Sequence, residues 1–257
     1  MPIYCDTHVH CYRFSEFEDL LTCAYQNVAS QSFSADNDVL VLFFTDGRRD
    51  KTWSKLKAVV EQGGELKGWV LEASKDANTL VAKNLNGEQL IYLMAARQIN
   101  SIERLEFLIL GYDGDDEDGA TADSIINQFS DQFMVISPWG VGKWLFARSK
   151  ILTALLEKYP SALYLGDNGG RPSFWRWVSH FNKTKQFVLN GSDPLPIADE
   201  IKRVASFGLC IEVDAQLPLS SQEVISYLKD KSIAKTNYGK PLALMPFIKG
   251  RLGLAKS

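Results

Sequence analysis

Asp38-Val39-Leu40-Val41-Leu42-Phe43-Phe44 is a nearly continuous apolar run. A strand with one wet face alternates apolar and polar residues, whereas a strand covered on both faces does not. The run therefore reads as a parallel strand packed between helices, which sets the fold class as α/β. Its neighbours agree. Residues 2–8 read as a strand, and residues 15–28 as a helix with Phe17, Leu20, Leu21 and Tyr25 on one side. Residues 50–62 read as a helix closed by Gly63-Gly64.

Further along, residues 66–73, 79–84, 89–95 and 105–110 read as successive strands, with Asn86-Gly87 as a hairpin signal. This stretch, about 66–111, is expected to be a small β-meander inserted in the main sheet. Alternation then resumes. Helices are expected over 120–129, 144–158, 173–182, 197–206 and 220–229, and strands over 132–137, 162–166, 186–191 and 207–213. The tail 230–257 is expected to pack back over the sheet. About seven core strands with intervening helices predict a single domain, 1–257, built as a distorted (β/α)7 TIM-like barrel. The active site of such a barrel lies at the C-terminal ends of its strands.

The chain has 257 residues, 46% of them apolar and 23% charged, with a net charge of −3. That balance gives no reason to expect nucleic acid as a bulk electrostatic partner. No apolar run is long enough to span a membrane, and the first residues read as a strand rather than a signal peptide. The four cysteines form no C-x-x-C pair. Free thiols in a reducing cytoplasm are the simplest expectation.

Polar residues gather where the strands end: Asp6 to His10, then Thr45-Asp46-Gly47-Arg48, Ser137-Pro138-Trp139-Gly140, Gly166-Asp167-Asn168-Gly169-Gly170-Arg171 and Gly191-Ser192-Asp193-Pro194. Asp6-Thr7-His8-Val9-His10 carries the most chemistry. Strict alternation puts Asp6, His8 and His10 on one face, and two imidazoles on one face can grip one metal ion. Asp46 is read as an orienting partner of these histidines or as a strand terminator. Asp167 and Asn168 lie in a glycine-rich turn able to bind an anion.

The order of these motifs resembles the polymerase-and-histidinol-phosphatase (PHP) family of metal-dependent phosphoesterases. Asp6-Thr7-His8-Val9-His10 is similar to its opening motif and Phe44-Thr45-Asp46-Gly47 to its T-D-H. Ala96-Arg97-Gln98-Ile99, with Leu105–Gly111 after it, is similar to its G-x-E-I stretch and the strand that follows. Val135-Ile136-Ser137-Pro138 is similar to its strand ending in H-P, and Gly191-Ser192-Asp193 to its S-D-x-H. The departures are systematic. Gly47 and Ser137 stand where the family has histidine, Gln98 where it has glutamate, and no histidine follows Asp193. Only three histidines are present, so the family's multinuclear cluster cannot form in its usual way.

The resemblance implies at most one ion, held by His8, His10 and Asp193, with Gln98 or Asp167 as a fourth ligand. Zinc, manganese or iron would suit it, or no metal at all is bound. Asp6, Asp46, Arg48, Arg97 and Arg171 are the candidate catalytic residues, with Lys143 a further cation near the same rim. A small phosphate ester or other anionic molecule is the expected substrate. The alternatives are a PHP-like binding or regulatory protein without catalysis, and an amidohydrolase-like enzyme. Cys11, His180 and the acidic run Asp113–Asp118 are read as bland. The aromatic stretch Phe174–Phe181 is read as core or as a contact with a second copy of the chain.

Overall fold

A computed structural model describes residues 1–31, 34, 38–87, 89–175, 178–197 and 199–242. The chain begins with β1 (Pro2–Val9), α1 (Phe17–Ala29), β2 (Val39–Asp46) and α2 (Thr52–Glu61). All eight residues of β2 are buried. Alternation divides them between two cores. Val39, Val41 and Phe43 face an interior cluster with Ile3, Cys5, Met94, Leu108 and Ile136. Leu40, Leu42 and Phe44 pack outward on Phe17, Leu20, Leu21 and Leu56 of the covering helices. Removing a side chain such as Phe43 from water contributes roughly 1.5–3 kcal/mol, so a strand sequestered on both faces has a strong reason to be central.

Next come β3 (Glu65–Leu66), β4 (Trp69–Ala73), β5 (Thr79–Asn84), β6 (Leu90–Asn100) and β7 (Glu106–Leu110). The expected insertion over 66–111 divides in two here. Only β3, β4 and β5 stand off the main path of the sheet, while β6 and β7 belong to it. β6 pairs along one side with β2 and shares its other side end to end, with β5 over its first half and β7 over its second. The remaining elements are α3 (Ala122–Phe129), β8 (Met134–Pro138), α4 (Ala147–Lys158), β9 (Leu163–Asn168), β10 (Leu189–Gly191), β11 (Phe207–Glu212), α5 (Ser221–Lys229) and β12 (Lys235–Gly239). Ile125, Phe129, Leu152 and Leu156 of α3 and α4 cover the outside of β7, β8 and β9. α5 starts with a reciprocal capping box of Ser220 and Glu223.

The main sheet runs β10-β9-β8-β7-β6-β2-β1-β11-β12. It curls until β10 lies beside the second half of β1. There the Asp193 amide donates to the His8 carbonyl at 2.8 Å, and the Thr7 hydroxyl to the Asn190 carbonyl at 3.0 Å. Gly191 permits this approach, because a Cβ in its place would sit 2.6 Å from the His8 backbone nitrogen. The result is a nearly closed, barrel-like ring of β1, β2, β6, β7, β8, β9 and β10.

The ring departs from regular (β/α)7 geometry. β7 runs antiparallel to both its neighbours, because a tight turn at 101–105 leaves no room for a crossover helix. β11 is antiparallel to β1, and β12 to β11. Part of the expected tail is therefore an edge strand, and residues 243–257 lie outside the described residues. The helix expected over 197–206 is a short 3-10 turn, Glu200–Arg203, because Asp199 and Ala205 adopt left-handed φ values of 68° and 58° around it. Of the helix expected over 173–182, a 3-10 turn at Ser179–Asn182 is present, while residues 176 and 177 lie outside the description. Among the described residues, no helix is long and apolar enough to cross a membrane. All four cysteines are free.

Candidate metal centre

The end of β1 is irregular, and the irregularity builds the site. Asp6 pairs with Leu42 of β2, but the next registered pair is Val9 with Phe44. Two residues of β1, Thr7 and His8, thus oppose the single residue Phe43. Such a bulge reverses the alternation beyond it. Val9 packs outward, and His8 and His10 on either side of it turn inward. Asp6 does not share their face. Its Oδ1 accepts from the backbone amides of His8 and Ser192 at 3.2 and 2.8 Å, and its Oδ2 from that of Ala205 at 2.8 Å. Burial pushes the Asp6 carboxyl up to about 6, although all three amides favour its charged form. Asp6 is thus a clamp joining β1 to the segment between β10 and β11.

His8 and His10 bring their Nε2 atoms to 3.0 Å of one another. Asp193 Oδ1 lies 3.6 Å from His8 Nε2 and 3.9 Å from His10 Nε2. These three residues offer ligand atoms that all lie within 4.8 Å of each other. Zinc–nitrogen bonds of about 2.0–2.1 Å in a tetrahedron separate ligand atoms by about 3.3 Å, so the observed triangle needs only small adjustments to hold one ion. Neither Nδ1 atom has a hydrogen-bond partner, although both are buried. Burial, reinforced by the neighbouring His10 and Lys143, lowers His8 to about 4, against the pull of Asp193 and Glu106. His8 is therefore a neutral imidazole near pH 7. Burial opposes charge on Asp193, but His8, His10, Lys143 and Arg203 together overcome it and hold the carboxyl below its usual value.

Asp193 occupies a left-handed backbone position, φ 45°, which is sparsely populated by residues other than glycine, asparagine and aspartate. It is held there from two sides. Its amide binds the His8 carbonyl, and its Oδ2 accepts from Asn168 Nδ2 at 2.7 Å. The same Asn168 nitrogen donates to the Trp139 carbonyl at 2.7 Å. Asn168, read from sequence as part of an anion-binding turn, is thus the residue that aims the aspartate. Glu106 was missed. It is buried at the start of β7, ion-paired with Lys143, and its charge reaches His8. A carboxylate inside Leu105-Glu106-Phe107-Leu108 was the available signal. It pointed nowhere because 105–110 was read as part of an inserted meander rather than as a strand of the ring.

The other expected residues lie apart from the triangle. Asp46 faces outward and accepts from the Trp53 amide at 2.9 Å, capping the first turn of α2 rather than orienting a histidine. Burial raises its carboxyl, and the Trp53 amide works against that rise. Arg97 also faces outward and donates to the carbonyls of Gly47 and Asp116 at 3.1 and 2.9 Å. Asp167 lies outside the group of ligand atoms at the triangle and is gripped by Arg171, with Nη2 to Oδ2 at 2.6 Å and Nε to Oδ1 at 2.8 Å. Arg171 is thereby committed to the protein, as its further bond to the Trp175 carbonyl confirms. Arg48 is exposed. Gln98 is half-buried, paired with Leu108 in an inward-facing register, and no hydrogen bond joins it to His8, His10 or Asp193. The Ser137 hydroxyl is buried without a partner. His180 packs against Trp144.

No protein-family model matches the chain, and no curated protein does. Solved structures resemble it in fold. PsfC from Pseudomonas syringae PB-5123 superposes with a TM-score of 0.64 at 10% identity, covering 98% of this chain and 97% of that one. The lesion-specific endonuclease PfuEndoQ from Pyrococcus furiosus gives 0.57 at 13% identity, over 93% of this chain and 59% of that one. Endonuclease Q in complex with a 27-mer duplex substrate bearing an abasic lesion gives 0.52 at 13% identity, over 97% and 67%. At these identities the likeness is one of architecture.

Proposed function

We propose that this chain is a PHP-like, metal-dependent hydrolase of a small phosphate ester, acting through one divalent ion held by His8, His10 and Asp193. The observation that supports this most is the convergence of three ligand groups, the buried His8 and His10 and the partly buried Asp193, at the mouth of the barrel-like sheet. When bound, zinc, manganese or iron would supply a water of lowered pKa and polarise a phosphoryl oxygen. The protein's own groups do the rest. Asn168 fixes the Asp193 carboxylate, so little ordering remains to be done on binding. Lys143 places a positive charge near the triangle, tempered by Glu106. The arginines expected to neutralise the phosphate contribute less than their number suggested, because Arg97 and Arg171 already have partners.

That last observation favours a second reading, a PHP-like protein that binds an anionic ligand without cleaving it. Elemental analysis of the purified protein, followed by assay of a generic phosphate ester with added Zn²⁺ or Mn²⁺, separates the two. The hydrolase reading expects about one ion per chain and turnover that His8→Ala abolishes. Bound metal with no turnover supports the binding protein. No metal, no gain on adding one, and no change in His8→Ala would sink the metal centre itself. A parallel assay with duplex DNA carrying an abasic site tests whether the substrate named for the endonuclease complex extends to this chain.

A further inference from the structure

The end of the ring opposite the mouth holds a cavity of about 440 Å³. It lies between the N-terminal ends of β9 and β10 on one side and the end of α5 and the start of β12 on the other. Its floor is the interior core. Tyr164 and Leu228 belong to the buried inward-facing cluster, and Phe187 and Ile233 pack against that cluster. Tyr164 also fixes the separation from the metal centre. It stands four residues before Asn168 on β9, which is about 13 Å along a strand rising about 3.3 Å per residue.

The rim is cationic. Lys185, Lys229, Lys231 and Lys235 line the cavity, and among the described residues no carboxylate lines it. In a chain of net charge −3 this is a local reversal of sign. Two of the lysines are held in place by backbone. Lys229 Nζ donates to the Ser130 carbonyl at 3.1 Å, and Lys235 Nζ to the Asp230 and Ile233 carbonyls at 2.6 and 3.1 Å. A carbonyl positions an ammonium without cancelling its charge. Each ammonium carries three donors, so both lysines keep at least one to offer. Burial holds both below the usual lysine value, against the pull of Asp131 on Lys229 and of Asp230 on Lys235. Lys185 and Lys231 are exposed, and neither has an ion pair or hydrogen bond among the described residues.

A second, independent observation is a hydroxyl. Tyr164 is 4% exposed, yet among the described residues no hydrogen bond reaches its Oη, and burial alone raises its pKa. A tyrosine buried to this degree ordinarily gives its hydroxyl a partner. The oxygen is not sealed in the core, so it opens onto the cavity that the residue lines. Cations at the rim, a free donor at the floor and apolar side chains between them are the features of a small-molecule site, and the volume falls within the roughly 300–1,000 Å³ usual for one.

We propose that this cavity is a second ligand site, which takes a small organic anion: its carboxylate or phosphate meets the lysines and the Tyr164 hydroxyl, and its apolar body lies on Phe187, Leu228 and Ile233. The site is independent of the hydrolase reading, since none of its residues is bonded to the ligand triangle. Three probes test it: 2-naphthoate, 2-naphthamide, which keeps the rings and loses the charge, and acetate, which keeps the charge and loses the rings. Calorimetric titration into metal-free protein at constant ionic strength is expected to show 2-naphthoate binding at least about tenfold tighter than either of the others. Tyr164→Phe removes an oxygen that has no partner within the protein, so it should weaken 2-naphthoate about tenfold and leave the urea midpoint unchanged. Lys185→Gln combined with Lys231→Gln should weaken it about fivefold, without effect on 2-naphthamide. His8→Ala and Lys143→Gln, at the other end of the ring, should leave the 2-naphthoate constant as it is. Equal constants for 2-naphthoate and 2-naphthamide would overturn the site. So would a 2-naphthoate constant that falls with Lys143→Gln and holds in Tyr164→Phe, which would place the anion at the mouth instead.

Discussion

Asn168 is the residue on which the geometry of the centre most depends, and Asn168→Ala tests that dependence. The substitution removes a bond to a partly buried carboxylate and a bond to the Trp139 carbonyl, both 2.7 Å long. A hydrogen bond to a charged group is worth about 1.5–3 kcal/mol, and one between neutral groups about 1 kcal/mol. The expected loss of stability is therefore about 3 kcal/mol, read as a lower urea midpoint at constant slope. Zinc affinity, titrated against a competing chelator, should fall about 10–100-fold, as when other residues that orient a metal ligand are lost. A double-mutant cycle with Asp193→Asn isolates the pair. If Asn168 acts through Asp193, the two substitutions are strongly non-additive in zinc affinity. Additive effects, or wild-type zinc affinity in Asn168→Ala, would refute the positioning role.

Three other outcomes follow from the same geometry. Asp6→Asn keeps the shape but turns an amide donor toward one of the three backbone donors the carboxylate now satisfies. It should reshape stability by about 1–3 kcal/mol while leaving metal stoichiometry at the wild-type value, and loss of metal without a change in urea midpoint would contradict the clamp. Gly191→Ala places a Cβ 2.6 Å from the His8 backbone nitrogen, so β10 must retreat from β1. A calorimetric Tm lowered by several degrees and weakened zinc binding are expected together, and a wild-type Tm would show that the closure is looser than drawn. The third outcome concerns pH. Burial lowers folded His8 from 6.5 to about 4, so between those values the unfolded chain binds a proton that the folded chain refuses. Metal-free stability should therefore rise with pH across that window, by about 3 kcal/mol from this group. Asp6, raised from 3.8 to about 6, contributes with the opposite sign, since its folded form binds the proton more readily and loses stability as pH rises. The comparison of wild type with His8→Asn cancels Asp6, and the difference should carry the positive slope of His8. A flat difference would mean that His8 is not desolvated.

Much of the architecture was readable because burial on two faces leaves a plain mark. The unbroken run of β2 and the apolar faces of α1 and α2 follow from it. Direction left no such mark. The composition of β7 is as apolar as that of a parallel strand, and only the turn at 101–105 reverses it, which carried Glu106 to the mouth unannounced. His8, His10 and Asp193 could be picked out as residue types suited to a metal. The alternation used to group Asp6 with the histidines failed at the one-residue bulge, which has no composition of its own. The partners of Arg97 and Arg171 were hidden for a different reason. A guanidinium near a strand end is visible in sequence, but whether a carboxylate or carbonyl such as Asp167 or Asp116 has already claimed it is a matter of tertiary contact. The 3-10 turn before β11 illustrates the same limit, since left-handed backbone at Asp199 and Ala205 overrides an otherwise helical spacing.

The meeting of β1 with β10 has a consequence for the order in which the molecule is assembled. The strands β4 to β7 are joined by short turns and can pair soon after collapse, with little loop to close. Asp6 and the Ser192 amide, by contrast, are 186 residues apart in the chain, and their contact bears the largest loop-closure entropy among the strand pairings of the ring. The two halves of the ligand triangle sit on either side of that seam. A metal ion can therefore report the closing of this seam rather than the earliest pairings. Its release on gentle denaturation should precede loss of the β-meander, so that metal retention measures the integrity of the seam while the rest of the sheet is still intact.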